Sequence, residues 1–143
     1  MKKTPSILLV DDDPASNYLA KLLLLEIDPE FDIHVRYHGQ EALEYIKAAD
    51  GEIVSPNLIF LDLNMPRMNG KELLREIKTD PGLKNIPVVV YTTSSQKKDR
   101  EEAISSGAVA FLSKPSNMRD LKNALADLVG SLPQKPAIAP PAC

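Results

Sequence analysis

The sequence is poor in the features that mark secreted, membrane and nucleic-acid-binding proteins. Cys143, the last residue, is the only cysteine, which excludes an internal disulfide and a metal site built from cysteines. No apolar run approaches the roughly 20 residues of a membrane span. The 17 basic residues are outnumbered by 20 acidic ones, which argues against an electrostatic footprint for nucleic acid or an anionic membrane. We therefore expect neither as a direct partner.

Length and composition indicate one folded unit. The first residues lack the long apolar core of a secretory signal, so we expect a cytoplasmic protein. With 143 residues, 43% of them hydrophobic, the chain suits a single domain with a single core. From residue 131 onward the chain has four prolines and little apolar content. The sequence thus predicts a domain over 1–130 and a disordered, proline-rich tail over 131–143.

Two short apolar runs lead directly into acidic residues. Residues 7–10 (ILLV) are followed by three aspartates at 11–13, and residues 58–61 (LIFL) are followed by Asp62. A continuous apolar run of this length is typical of a strand that is buried on both faces, as in a parallel sheet. The acids then lie at the carboxyl ends of strands, which is the edge where open α/β sheets bind their ligands.

The rest of the chain alternates between strand and helix patterns. Further strands are predicted at about 31–35, 88–91 and 108–112, the first of them a half-exposed edge strand. Helices are predicted at about 14–27, 40–49, 71–78, 96–106 and 117–129. Asp13 is expected to cap the first helix, residues 92–95 the fourth, and Gly107 to end the fourth. This alternation favours βαβ units, and hence an α/β, doubly wound, mostly parallel five-stranded sheet with five helices.

Polar residues that follow the predicted strands converge on one edge of that sheet. Asp11 and Asp12 follow the first strand, Asp62 the third, Thr92 the fourth and Lys114 the fifth. Three carboxylates about 4 Å apart would repel by roughly 4 kcal/mol per pair at an effective dielectric constant near 20, so the cluster needs a cation. Hard oxygen ligands suit Mg²⁺ or Mn²⁺.

These groups together match the requirements of phosphoryl transfer. Asp62 would attack in line and form an acyl phosphate, while a divalent ion and Lys114 offset charge on the equatorial oxygens. His34 and His38 lie on another segment and show no zinc-ligand spacing. The residues therefore predict a magnesium-dependent or manganese-dependent phosphorylation site.

The chain resembles the receiver domain of two-component response regulators over about residues 5–130. Five motifs fall in the order and spacing of that family. They are Val10-Asp11-Asp12, Leu61-Asp62-Leu63-Asn64-Met65-Pro66 with Gly70, Tyr91-Thr92, Gly107-Ala108, and Phe111-Leu112-Ser113-Lys114-Pro115. The resemblance implies a flavodoxin-like sheet with strand order 2-1-3-4-5. It also implies a signalling phosphoacceptor rather than an enzyme.

The resemblance further implies a role for each site residue. Asp62 corresponds to the phosphoacceptor, and Asp11 and Asp12 correspond to acids that bind Mg²⁺ together with Asp62. Asn64 would contribute its backbone carbonyl to the metal. The phosphoryl donor would be a sensor histidine kinase or a histidine phosphotransfer protein.

The resemblance also implies how the signal leaves the site. Thr92 and Lys114 would hold phosphoryl oxygens, and Phe111 would be an aromatic switch that turns inward when Thr92 moves. The face formed by helix four, strand five and helix five commonly dimerises or meets downstream protein targets in the family. Thr93 and Ser116 depart from the usual family residues, and these departures resemble stand-alone receivers that work with phytochrome-type kinases.

Each residue also has a purely structural interpretation when it is taken alone. The aspartates at 11–13 could cap the first helix, Asp62 could form a turn, and Lys114 could be a solvated lysine at a strand end. A metal-dependent aspartyl-phosphate phosphatase could use the same groups, but it would need a second carboxylate where Asn64 stands. A pseudo-receiver that binds partners without phosphorylation is a third alternative, although its site should be degraded.

Overall fold

The computed structural model describes residues 6–47, 56–63, 70–92, 96–114 and 117–131. Strand and helix alternate along these residues, as the sequence predicts. The strands are β1 (Ser6–Val10), β2 (Asp32–Arg36), β3 (Leu58–Leu61), β4 (Val88–Thr92) and β5 (Ala110–Ser113). The helices are α1 (Pro14–Ile27), α2 (Gly39–Lys47), α3 (Gly70–Thr79), α4 (Lys97–Ser105) and α5 (Met118–Ser131).

The five strands form one sheet in the order β2-β1-β3-β4-β5, and all four strand pairs are parallel. This confirms the doubly wound α/β fold and the strand order that the family resemblance implies. The chain moves outward from β1 to β2, and then returns to β3 on the other side of β1. The crevice at the carboxyl ends of β1 and β3 is therefore the topological switch point, where ligands bind in such sheets.

Helices cover both faces of the sheet, so the central strands contribute side chains to two cores. Successive strand residues point to opposite faces, which explains why the strand sequences are apolar without interruption. The core under α2, α3 and α4 includes the strand residues Leu8, Val10, Ile59, Leu61, Val88 and Val90. The core under α1 and α5 includes the strand residues Ile7, Leu9, Leu58, Phe60, Val89 and Tyr91.

Two predicted features of the helix ends are confirmed. α1 has the predicted bounds, and the side chain of Asp13 caps it by accepting a hydrogen bond from Ala15 N at 3.0 Å. Gly107 follows α4 with a φ of 111°, in the left-handed region that favours glycine. The predicted cap of α4 within residues 92–95 falls mostly outside the described residues; α4 begins after Gln96, whose side chain makes no capping bond.

Two strands differ in detail from the patterns in the sequence. β2 lies at one edge of the sheet as predicted, but its last four residues are all half-buried rather than alternately buried and exposed. β5 begins at Ala110 rather than at Ala108. The amide of Ala108 donates to Ala103 O at 3.0 Å, so this residue belongs to the turn that closes α4.

Some predictions lie outside the described residues. They concern Asn64, the last two residues of the predicted helix 40–49, the α4 cap at 93–95, the departures at Thr93 and Ser116, and the tail beyond Ser131. Among the described residues, no helix combines the length and apolarity needed to cross a membrane.

Candidate functional site

Two buried aspartates lie side by side where β1 and β3 end. Val10 and Leu61 are paired in the sheet, and Asp62 N extends this ladder by donating to Val10 O at 3.0 Å. On the other side of β1, Asp11 N donates to Arg36 O at 3.1 Å. Asp11 is 4% exposed and Asp62 7% exposed. The backbone thus holds both carboxylates at the switch point, as the sequence predicts.

A third carboxylate completes an acidic cluster at this edge. One carboxylate oxygen from each of Asp11, Asp12 and Asp62 lies within 4.8 Å of the others, and Asp12 is exposed to solvent. Three carboxylate oxygens with one side open to water form a donor set that suits a hard divalent cation. Such a cation would also relieve the mutual repulsion of the three acids.

Lys114 follows β5, the edge strand two positions from β3, and its side chain extends to this cluster. Its backbone N donates to Thr92 O at 2.7 Å, just beyond β5. Its side chain is 13% exposed, and the Nζ atom donates a hydrogen bond to Asp11 Oδ2 and another, of 2.9 Å, to Ser16 Oγ. The same Nζ atom lies 3.9 Å from Asp62 Oδ2. One ammonium group therefore lies close to both buried carboxylates.

Tyr91 forms part of the apolar wall beside this ammonium. Lys114 Nζ lies 5.0 Å from the centroid of the Tyr91 ring, within the range of a cation–π contact. Burial raises the pKa of the Tyr91 hydroxyl, and the charges of Asp11 and Asp62 raise it further. These effects move the Tyr91 hydroxyl still further from ionisation.

Ser16 and Asn17 belong to the site but were not predicted from the sequence. Both lie near the start of α1, directly behind the acidic residues. Asn17 is buried and its Nδ2 atom donates to Asp11 O at 2.8 Å, while Ser16 accepts from Lys114. The signal that could have found them is a pair of polar residues in the first turns of a helix that begins at an acidic strand end.

Thr92 and Phe111 lie on the neighbouring strands β4 and β5. Thr92 is fully buried and is paired with Ser113, so it also lies at the carboxyl edge of the sheet. Phe111 is half-buried against the core under α2, α3 and α4, and Arg100 Cζ of α4 lies 5.8 Å from its ring centroid. Phe111 therefore lies between the core and the surface beside α4.

Gly70 begins α3 in close contact with the end of β3. Its N atom donates to Leu63 O at 3.1 Å. A Cβ atom at this position would lie 2.2 Å from Asp62 O and 2.5 Å from Leu63 Cα. Glycine is needed here because the backbone approaches that of Asp62 too closely for any side chain.

Comparisons with known proteins agree with this arrangement. The chain matches the family model of the response regulator receiver domain over residues 7–126. It is 37% identical over 118 residues to response regulator Rcp1 of Synechocystis sp., covering 80% of each chain. It is 31% identical over 126 residues to chemotaxis protein CheY1 of Helicobacter pylori strain 26695, covering 87% of this chain and 97% of CheY1.

Solved structures show the same likeness. The Mn²⁺-bound form of Rcp1 superposes with a TM-score of 0.80 at 33% identity, covering 89% of this chain and 93% of Rcp1. The phosphorylated cyanobacterial phytochrome response regulator RcpA has a TM-score of 0.81 at 31% identity, covering 88% of this chain and 91% of RcpA. The carboxylate cluster, the lysine beside it and these matches lead to one conclusion: the chain belongs to the receiver domain family of two-component response regulators.

Proposed function

We propose that this receiver accepts a phosphoryl group on Asp62 from a histidine kinase or a histidine phosphotransfer protein. The observation that carries the proposal is the meeting of three carboxylates and the Lys114 ammonium at the switch point of the sheet. Three clustered acids repel one another, and phosphoryl transfer uses both these acids and the cation beside them.

Asp62, which corresponds to the phosphoacceptor of the family, is the proposed nucleophile, and Asp11 would help to hold the metal ion and Lys114. Asp11 uses one carboxylate oxygen to accept from Asp13 N, at 3.0 Å, and the other to accept from Lys114. An Asp62 oxygen would attack the phosphorus of a phosphohistidine, forming a P–O bond as the N–P bond breaks and the imidazole nitrogen keeps the electron pair. Lys114, 3.9 Å away, would offset negative charge on the phosphoryl oxygens.

The donor set supports Mg²⁺ as the cofactor, with Mn²⁺ as a possible substitute. Asp11, Asp12 and Asp62 would hold the ion. By the family resemblance, Asn64 would add its backbone carbonyl. The Mn²⁺-bound form of Rcp1 supports a divalent cation in a similar protein. When bound, the ion supplies positive charge that shields the phosphoryl oxygens from the carboxylates.

The proposed output is a change in the shape of the α4–β5–α5 face. Thr92 would move toward the phosphoryl group, and Phe111 would turn inward into the space it leaves. That face would then meet a downstream protein or a second copy of the chain. RcpA and two bacteriophytochrome response regulators among the similar structures support a phytochrome-type kinase as the donor. We infer a cytoplasmic phosphoacceptor rather than an enzyme with a separate substrate.

The proposal is tested by incubating the protein with acetyl phosphate and Mg²⁺ and measuring its intact mass. We expect one added phosphoryl group, which alkali removes and which a chelator prevents from forming. Asp62→Asn should abolish the addition, whereas the control Asp13→Asn, at the same edge of the sheet, should keep it. A label that persists in Asp62→Asn, or that resists alkali, would show that another residue is modified.

A further inference from the structure

The Lys114 ammonium is held by two groups of different charge. An ammonium has three N–H donors on a flexible stem. One donates to the carboxylate of Asp11 and a second to the hydroxyl of Ser16, at 2.9 Å. Asp62 Oδ2 lies 3.9 Å from the same nitrogen, beyond hydrogen-bond distance. The first two bonds orient the side chain and leave the third donor for the side of Asp62.

Ser16 itself is held in a defined position relative to Asp11. α1 begins with the Asp13 cap and Pro14, and Asn17 N donates to Asp13 O at 3.2 Å. The Asn17 side chain then ties the same turn to Asp11 O at 2.8 Å. The backbone and side-chain bonds of Asn17 therefore fix the first turn of α1, and with it the Ser16 hydroxyl, relative to Asp11.

We propose that Ser16 is a positioning residue for phosphoryl transfer to Asp62, acting through Lys114. This inference rests on the proposed function. Asp11 would share its charge between Lys114 and a divalent ion, so its hold on the ammonium weakens when the ion binds. Ser16 is neutral and is not one of the carboxylates that would hold that ion, so ion binding should not weaken its bond to the ammonium. Its hydroxyl keeps the ammonium within reach of an oxygen on the incoming phosphoryl group.

The kinetic test compares phosphorylation rates with acetyl phosphate in saturating Mg²⁺. Ser16→Ala removes one acceptor from a nearly buried ammonium, and we expect phosphorylation about three- to tenfold slower than in the parent. Ser16→Thr keeps a hydroxyl at the same place and should restore most of the rate. Ser105→Ala removes a hydroxyl from the exposed surface of α4 and should leave the rate unchanged.

A second readout observes the ammonium directly. Hydrogen-bonded lysine ammonium protons exchange slowly enough to be seen in ¹⁵N-edited NMR spectra at low temperature. We expect such signals from Lys114 and from Lys78, whose Nζ donates to Lys84 O and Ile86 O. Lys114→Arg assigns the first signal. Ser16→Ala should broaden that signal and leave the Lys78 signal unchanged.

The outcomes separate this inference from the proposed function. If the parent is phosphorylated and Ser16→Ala reacts at the same rate, the positioning role of Ser16 is wrong and the phosphoacceptor function stands. A rate that is slow in both Ser16→Ala and Ser16→Thr, with the Lys114 signal intact, also contradicts the role of the hydroxyl. If the parent takes up no phosphoryl group, the proposed function fails and this inference fails with it.

Discussion

Gly70 shows how one residue without a side chain shapes the site. In Gly70→Ala the new Cβ would overlap Asp62 O, so either α3 or the end of β3 must shift. We expect a stability loss of about 1–3 kcal/mol, as for overpacking in a core, together with slower phosphorylation. Denaturant unfolding measures the first effect and the acetyl phosphate assay the second.

Gly130 offers a matched control for this substitution. It lies in α5, and a Cβ there would meet nothing within 4 Å. Gly130→Ala should be neutral or should stabilise the protein by up to about 1 kcal/mol, because alanine favours helix more than glycine does. Equal effects of the two substitutions would contradict the close approach of Gly70 to Asp62.

The exposed aspartate of the acidic cluster carries a prediction about the metal. Mg²⁺ should raise the melting temperature of the parent, since the cluster exists only in the folded state. Asp12→Ala should respond less to Mg²⁺, and without Mg²⁺ it should be at least as stable as the parent because one repulsive charge is gone. Thermal melts with and without Mg²⁺ measure this. If Mg²⁺ raised the melting temperature of both proteins equally, the metal would bind at a different site.

At the scale of elements, Lys71 connects the helix that begins beside Asp62 to its neighbour. It follows Gly70 in α3, and its Nζ lies 2.7 Å from Glu102 Oε1 and 3.2 Å from Asp99 Oδ1 in α4. These carboxylates raise the pKa of Lys71, and Lys71 lowers that of Glu102. The bridge thus links the start of α3, which contacts the backbone of Asp62, to α4.

Lys71→Met should loosen this attachment. We expect amide exchange in α4 to become about two- to fivefold faster at neutral pH, a small effect because the pair is exposed. The Glu102 contribution is present above its reference pKa of 4.5 and is lost as pH falls through the lowered folded value. The difference between variant and parent should therefore shrink in acid.

Lys97→Met serves as the control for the bridge. It removes an exposed pair with Glu101 that lies wholly within α4, so the attachment to α3 remains. Its exchange rates in α4 should match those of the parent. If Lys71→Met also matches the parent at neutral pH, the bridge does not hold α4.

The elements were predictable from sequence where a local pattern determines them. The apolar strand runs, the Asp13 cap and Gly107 each depend on neighbouring residues, and each is confirmed. The start of β5 was not predictable, because the bond from Ala108 N to Ala103 O competes with sheet pairing there.

At the scale of the whole molecule, the topology predicts which residues meet but not how they bond. Parallel strands bring Asp11 and Lys114 to one edge although they are 103 positions apart. The contact of Lys114 with Ser16, across 98 positions, depends on side-chain directions that no sequence spacing encodes. This explains why the acids and the lysine were found from sequence and Ser16 was not.

The proposed coupling between the site and the α4–β5–α5 face would depend on the whole fold. In Thr92→Ala the phosphoryl group should still form on Asp62, because the acids and Lys114 remain. The signal should no longer reach residues 96–125, where the parent is expected to change its hydrogen exchange on phosphorylation. Comparing both proteins with and without phosphodonor tests this. Equal changes in both would contradict the coupling through Thr92.

The central claim is that Asp62 carries the phosphoryl group, and borohydride reduction tests it most directly. Borohydride reduces an acyl phosphate on aspartate to homoserine, so peptide mass spectrometry of the treated protein locates the modified residue. We predict homoserine at position 62 only after incubation with phosphodonor and Mg²⁺, with Asp11, Asp12 and Asp13 unchanged. Homoserine at one of those three positions, or at none in a protein whose mass shows a phosphoryl group, would contradict the account.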